Sequence, residues 1–177
     1  HLSTVMEMPH VDKLVLASDL GMVIEPTLEE KAEMIANLVE AAHKLGVETP
    51  KVACLAAVET ITAKMPDTSE SAILSKMAQR GQIKGCVVDG PLSFDLACYP
   101  EALEHKKVDS PVAGAADVLL FPNLQAGNIF YKAMIHSANA GSGTVVMGTS
   151  APAVMTSRSD SAESKLNSIA LALALAD

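Results

Sequence analysis

The chain has 177 residues, 49% of them hydrophobic and 19% charged, the balance of a folded globular protein long enough to bury its own core rather than of a disordered one. Its net charge of −8 argues against nucleic acid, an anionic membrane surface or heparin as partners, so an anionic substrate must be held by local groups and not by the overall field. No apolar run reaches the ~18 residues that a membrane span needs, and aromatics at 3% leave the core to Ala, Val, Leu, Ile and Met.

Taken in order, residues 13–18 form a short apolar run that reads as a buried strand, with a turn at Asp19-Leu20-Gly21 behind it. Thr27 caps a helix and Glu30 stands at the capping-box position. Leu28, Ile35, Leu38, Val39, Ala42 and Leu45 recur at helical spacing, and Gly46 ends that helix. Residues 52–58 are the next apolar strand. Asp67 and Glu70 start a second helix that runs to Arg80-Gly81. Residues 86–89 are a third strand, 96–105 contain a weaker helix starting near Pro100, and 118–122 are a fourth strand. Gly127-Asn128 opens a helix to Ala140, Gly141-Ser142-Gly143 separates it from a strand at 144–147, and the last helix runs from about Ser161 to the end.

Strands alternate with helices, and the strands are continuous apolar runs, as expected when both faces are covered. That pattern predicts an α/β fold with a mostly parallel sheet and helices on both sides. Ligands of such sheets gather at the carboxyl ends of strands, here Asp19, Glu59-Thr60, Asp89-Gly90-Pro91, Pro122-Asn123 and Gly148-Thr149-Ser150. Cys54, Cys86 and Cys98 are odd in number and lack C-x-x-C spacing, which reads as three reduced thiols in a cytoplasmic protein.

The sequence has no phosphate loop, no G-x-G-x-x-G and no G-x-S-x-G nucleophile elbow, and its five histidines lack metal-ligand spacing. What stands out is Thr156-Ser157-Arg158-Ser159-Asp160-Ser161, after a loop marked by Gly148 and Pro152 and at the start of the last helix. Four hydroxyls and a guanidinium at a helix N-terminus suit an anion, most naturally a phosphate. The plainer reading is an N-cap, with Ser159 or Ser161 capping and Asp160 and Glu163 placed in the first turn by the helix dipole.

This stretch, with Lys165-Leu166-Asn167-Ser168-Ile169 behind it, resembles the C-terminal signature of phosphate butyryltransferases, relatives of phosphate acetyltransferases. Three further stretches carry the resemblance: Asp19 with Glu25-Pro26-Thr27-Leu28, Val88-Asp89-Gly90-Pro91-Leu92 with Asp95, and Pro122-Asn123-Leu124-Gln125-Ala126-Gly127-Asn128-Ile129-Phe130-Tyr131-Lys132. The likeness runs in order along the whole chain. It implies a three-layer α/β/α fold of two lobes, like that of isocitrate dehydrogenases. Residues 1–150 would be the second lobe, and 151–177 a C-terminal segment that returns to an N-terminal lobe absent from this sequence.

The reaction implied is acyl-CoA plus phosphate giving acyl phosphate plus coenzyme A, by direct attack through a tetrahedral centre, with butyryl or branched-chain acyl groups favoured by the Ser157–Ser161 signature. Coenzyme A is then a substrate, and neither a resident cofactor nor a metal is expected. Arg158 would clamp the phosphate and Ser157 would hydrogen-bond the phosphate or the developing oxyanion. Asn123 and Asn128, around Gly127, would offer amide donors and a helix N-terminus to the same cleft, with an N-cap as the alternative for Asn128. Asp89 fits a strand-end turn, and Asp95 a structural role. For the base that takes the thiol proton, an acid lies further along in the acetyl branch, where this chain has Ser164; Asp160 comes first and Glu163 second among the acids nearby. Lys64, ahead of Arg80 and Lys84, is the candidate for the CoA phosphates. The family is typically dimeric, and Met6, Met8, Met22 and Met34 fit either a dimer surface or the core. The other readings are a non-catalytic CoA-binding or dimerisation lobe, phosphate acetyltransferase, and a metal- and NAD-dependent dehydrogenase of the same fold.

Overall fold

The apolar runs become the strands of one seven-stranded sheet, in the order β4-β3-β5-β2-β1-β6-β7. The strands are β1 (Leu2–Glu7), β2 (Leu14–Ser18), β3 (Lys51–Leu55), β4 (Val87–Leu92), β5 (Val118–Leu120), β6 (Gly141–Val146) and β7 (Ala153–Val154). The helices are α1 (Leu28–Lys44), α2 (Pro66–Gln79), α3 (Phe94–Cys98), α4 (Pro100–Lys106), α5 (Leu124–Ser137) and α6 (Ala162–Leu175). This computed structural model describes residues 1–151 and 153–176; Pro152 of the expected loop and the expected helix end at Asp177 lie outside the described residues.

The α/β class is as expected, but parallel pairing is confined to half of the sheet. β2, β5, β3 and β4 pair parallel, as strands joined through crossover helices must. β1 pairs antiparallel with both β2 and β6, and β6 with β7. The reason for this difference is β1, a strand inside the sheet that the apolar pattern does not reveal. Ser3 and Thr4 interrupt that pattern, yet both are buried. Thr4 is tolerated there because its hydroxyl meets that of Thr144 across the β1–β6 pair at 3.2 Å, so neither oxygen is stranded in the core. Gly141-Ser142-Gly143 likewise belongs to β6 and does not precede it. A Cβ on Gly143 would come within 3.0 Å of the backbone of Asn167, so this glycine is what lets α6 lie close on the sheet.

Alternate residues along the strands feed two separate cores, which is the signature of a sheet covered on both faces. Val52, Cys54, Val118 and Leu120 face the cluster that contains Ile35, Leu38 and Ala42 of α1, Leu74 of α2 and Leu171 of α6. Ala53, Leu55 and Leu119 face the other, with Leu96 of α3 and Tyr131 of α5. Met6, Met8 and Met34 are buried in these cores, and Met22 is the exposed one of the four methionines considered for an interface.

The helix starts follow local chemistry. Thr27 caps α1 through a full capping box, its side chain accepting from the Glu30 amide at 3.2 Å while Glu30 accepts from the Thr27 amide at 2.8 Å. Thr27→Ala is expected to cost about 1 kcal/mol, a fall of roughly 2–4 °C in Tm for a domain of this size, read by thermal unfolding. The weak helix expected over 96–105 is two short ones, because Pro100 starts a new helix at its first position and Tyr99 between them is extended. Asp67 is in the first turn of α2, which begins at Pro66.

Candidate active site

A cavity of about 300 Å³ opens beside the carboxyl end of β2, between α5 and the loop that precedes α6. Its base is Thr4 and Thr144, the crossing pair of β1 and β6, and Leu2, Leu20 and Met155 give it an apolar side. The polar side is Asn128, Tyr131 and Lys132 from α5 with Thr156, Ser157, Arg158 and Asp160 from the loop.

Three contacts set α5 against the strand end. Asn123 is the N-cap, its side chain accepting from the Ala126 amide at 3.1 Å, so the helix starts ahead of the expected Gly127-Asn128. Gly127 abuts the end of β2, where a Cβ would fall 2.1 Å from the Asp19 carbonyl oxygen. Asn128 is not a cap: its side-chain amide donates to the Leu20 carbonyl at 3.1 Å from within the helix. The strand end is itself held by the buried Asp19 carboxylate, which accepts from the amides of Gly21 at 2.6 Å, Met22 at 2.7 Å and Leu2 at 2.8 Å.

The loop is exposed or half-buried except at Asp160, whose carboxylate is turned inward. It accepts from the Tyr131 hydroxyl at 3.0 Å on one oxygen and from the Ser157 amide at 2.6 Å on the other. The Asp160 amide donates back to the Ser157 carbonyl at 3.1 Å, closing a tight turn. Lys132 Nζ donates to Ser157 Oγ at 2.9 Å, and that hydroxyl also meets Ser159 Oγ at 3.1 Å. Ser161 caps α6 by accepting from the Ser164 amide at 3.0 Å, so of the two expected caps it is Ser161 and not Ser159 that starts the helix. Among the described residues neither Arg158 nor Lys132 is paired with a carboxylate. Two cations and a hydroxyl on one side of the cavity face an apolar wall on the other, groups able to donate to an anion beside a short hydrocarbon chain.

Of the residues named from sequence, Ser157, Arg158, Asp160 and Asn128 line the cavity, and Asn123 and Gly127 position the helix that forms one side of it. The others lie elsewhere. Glu163 is exposed in the first turn of α6. Asp89 is on β4 and accepts from Ser75 of α2 at 3.3 Å. Lys64 is exposed in the segment between β3 and α2. Asp95 accepts from Lys106 Nζ at 3.0 Å, alongside Glu59 at 2.9 Å; the Ser93 hydroxyl first, and Lys106 second, hold its carboxyl below the usual carboxylate range. Tyr131 and Lys132 are the residues that sequence reasoning missed. Their signal was present: Asn128, Tyr131 and Lys132 stand at i, i+3 and i+4, one face of a helix.

None of the thiols is a nucleophile in waiting. Burial pushes Cys54 up to about 12, with Asp89 adding to it, and pushes Cys98 up to about 12 and Cys86 to about 11. Thiols so shifted are protonated at neutral pH, and the two buried ones, Cys54 and Cys98, are also shielded from reagents. The folded chain at pH 8 is expected to react with a chromogenic disulfide far more slowly than the unfolded chain; a thiol that labels within seconds would contradict this. Among the described residues no group of three or more His, Cys, Asp or Glu could hold a metal ion, and no helix is long and apolar enough to cross a membrane.

The sequence profile of the family described as Phosphate acetyl/butaryl transferase matches residues 1–173. A phosphate acetyltransferase of Thermotoga maritima is 50% identical over 173 residues, covering 98% of this chain and 59% of that protein. A phosphate butyryltransferase of Clostridium acetobutylicum is 49% identical over 172 residues, covering 97% of this chain and 57% of that protein. The chain therefore spans somewhat more than half the length of these relatives. The crystal structure of a branched-chain phosphotransacylase from Enterococcus faecalis V583 superimposes with a TM-score of 0.89 at 37% identity, over 99% of this chain and 63% of that one. With the profile matching nearly end to end and the fold shared, the chain belongs to the phosphate acetyl/butaryl transferase family.

Proposed function

We propose that the chain works in the transfer of an acyl group between coenzyme A and inorganic phosphate, as the lobe that holds the phosphate. The observation that carries this reading is the cavity lined by Arg158, Lys132 and Ser157, in which Lys132 Nζ is bonded to the Ser157 hydroxyl and neither cation is ion-paired among the described residues. In the direction of acyl phosphate synthesis a phosphate oxygen attacks the thioester carbonyl carbon. The new C–O bond forms, the carbonyl becomes an oxyanion, and the C–S bond breaks with its electron pair leaving on the thiolate of coenzyme A. Arg158 grips two phosphate oxygens through its planar fork. Lys132 donates to Ser157 Oγ, which leaves the Ser157 proton free to be donated to the phosphate or to the oxyanion. The main contribution of such a site is holding two substrates in reacting geometry. Asp160 and Glu163 are the candidate acids for taking the thiol proton in the reverse direction. Both oxygens of Asp160 already accept hydrogen bonds and Glu163 is outside the cavity, so we assign Asp160 to bracing the loop.

The apolar wall of Leu2, Leu20 and Met155 would carry the acyl chain. We propose butyryl or branched-chain acyl groups, which the Ser157–Ser161 signature and the likeness to the Enterococcus faecalis enzyme support; the 50% identity to an acetyl enzyme makes acetyl-CoA the competing substrate. The same reading makes residues 1–150 one lobe of two, with the segment 151–177, whose helix α6 lies by one face on this lobe's sheet, packing on the other by its outer face. Leu166, Ile169 and Leu173 support it, an exposed apolar stripe along α6. Coenzyme A is a substrate, no resident cofactor takes part, and a cytoplasmic homodimer is the expected form. The test is release of free thiol from butyryl-CoA in phosphate buffer with EDTA present. Release that rises with phosphate and is insensitive to EDTA supports the transferase; no thiol release, together with an NAD reduction that EDTA abolishes, points to a metal-dependent dehydrogenase of the same fold. Binding of CoA and phosphate without turnover would favour the non-catalytic lobe.

A further inference from the structure

We propose that Tyr131 is a positioning residue for the phosphate clamp, setting the place of Ser157 and Arg158 through the carboxylate of Asp160. The inference rests on the phosphate-site reading above and extends it to how the site is held. The loop from Met155 to Ser161 is short of internal support. Its one buried side chain is Asp160, and that carboxylate receives both the Tyr131 hydroxyl and the Ser157 amide. Together with the reciprocal bond from the Asp160 amide to the Ser157 carbonyl, this makes the turn that carries Arg158 a closed unit. The unit is tied to the rest of the cavity by two neighbouring residues of α5, Tyr131 through Asp160 and Lys132 directly on Ser157 Oγ. α5 is fixed in turn by Gly127 against the Asp19 carbonyl and by Asn128 on the Leu20 carbonyl. One continuous line of contacts therefore runs from the end of β2 through α5 to the anion-binding turn.

Tyr131 suits this task. Its ring is buried in the core, so the hydroxyl is held at a fixed height above the sheet. Burial pushes the hydroxyl pKa up, and the Asp160 carboxylate adds to that after the opposing Ser142 contact, so the group stays a donor through the physiological range. A buried carboxylate oxygen that loses a donor is costly to leave unpaired, so without the hydroxyl Asp160 would turn toward solvent and release the Ser157 amide.

The experiment compares wild type, Tyr131→Phe, Asp160→Asn and the double variant in two ways. Amide hydrogen exchange is measured on the chain itself, without substrate. In Tyr131→Phe the Ser157 and Asp160 amides are expected to exchange about tenfold faster, the change that follows from losing one donor to a charged acceptor, while amides within α5 and β2 keep their rates. Uniform acceleration would mark a merely structural role, and unchanged Ser157 and Asp160 rates would overturn the proposal whatever the chain does catalytically. In the thiol-release assay, KM for phosphate is expected to rise about tenfold with KM for acyl-CoA unmoved, and the double variant to be no worse than Asp160→Asn alone. Additive losses would overturn the coupling through Asp160. Absence of phosphate dependence in wild type would fail the functional reading and leave the exchange result to decide the positioning.

Discussion

Replacing Arg158 with alanine is expected to lower phosphate-dependent thiol release from butyryl-CoA by at least about a hundredfold, the scale seen when one charge-stabilising donor is removed from a preorganised site. Arg158 is exposed on its loop, so Tm should stay within the small range of surface substitutions. Rate falls and stability does not: that separation is what identifies a residue acting on substrate. Arg158→Lys should fall between wild type and alanine, because an ammonium keeps the charge but loses the two-pronged fit to phosphate oxygens. Steady-state kinetics with phosphate varied at saturating acyl-CoA reads both variants, and the loss should appear in kcat/KM for phosphate. If Arg158→Ala keeps full activity, another group holds the phosphate.

Gly127→Ala should do the reverse and destabilise the whole chain. The added methyl would sit 2.1 Å from the Asp19 carbonyl oxygen and 3.1 Å from a Leu20 methyl. The first of these is backbone at the end of a central strand, which cannot rotate away as a side chain can. Either α5 lifts off β2 or the strand end moves, and overpacking of that kind costs about 1–3 kcal/mol, occasionally more. The loss should exceed that of Thr27→Ala, where only a helix cap is removed. Activity should fall as well, since the movement would carry Asn128, Tyr131 and Lys132 with it. Denaturant unfolding gives the comparison, and equal midpoints for Gly127→Ala and wild type would contradict so close an approach.

Local chemistry and the α/β class were legible in the sequence, and the pairs of residues that meet across the fold were not. The runs at 13–18, 52–58 and 118–122 were recognisable as strands because both sheet faces are covered and the residues are apolar throughout. β1 was not, because Ser3 and Thr4 look like surface residues until Thr144, 140 positions away, is seen to satisfy the Thr4 hydroxyl. Gly141 and Gly143 look like loop residues, and the need for a glycine at Gly143 comes from α6 lying on the strand. The site divides in the same way. Ser157 and Arg158 stand out because hydroxyls and a guanidinium crowd together before a helix. Lys132 and Tyr131 do not, because their partners Ser157 and Asp160 are 25 and 29 positions away and only the packing of α5 under the loop brings them together.

Whether phosphate is the acyl acceptor held by Arg158 is decided by the rate of free-thiol release from butyryl-CoA as phosphate is raised, for wild type and Arg158→Ala side by side. Release should climb with phosphate to saturation in the wild type and be lost in the variant. Release of equal rate with and without phosphate would contradict the phosphate site, because water and not phosphate would then be the acyl acceptor.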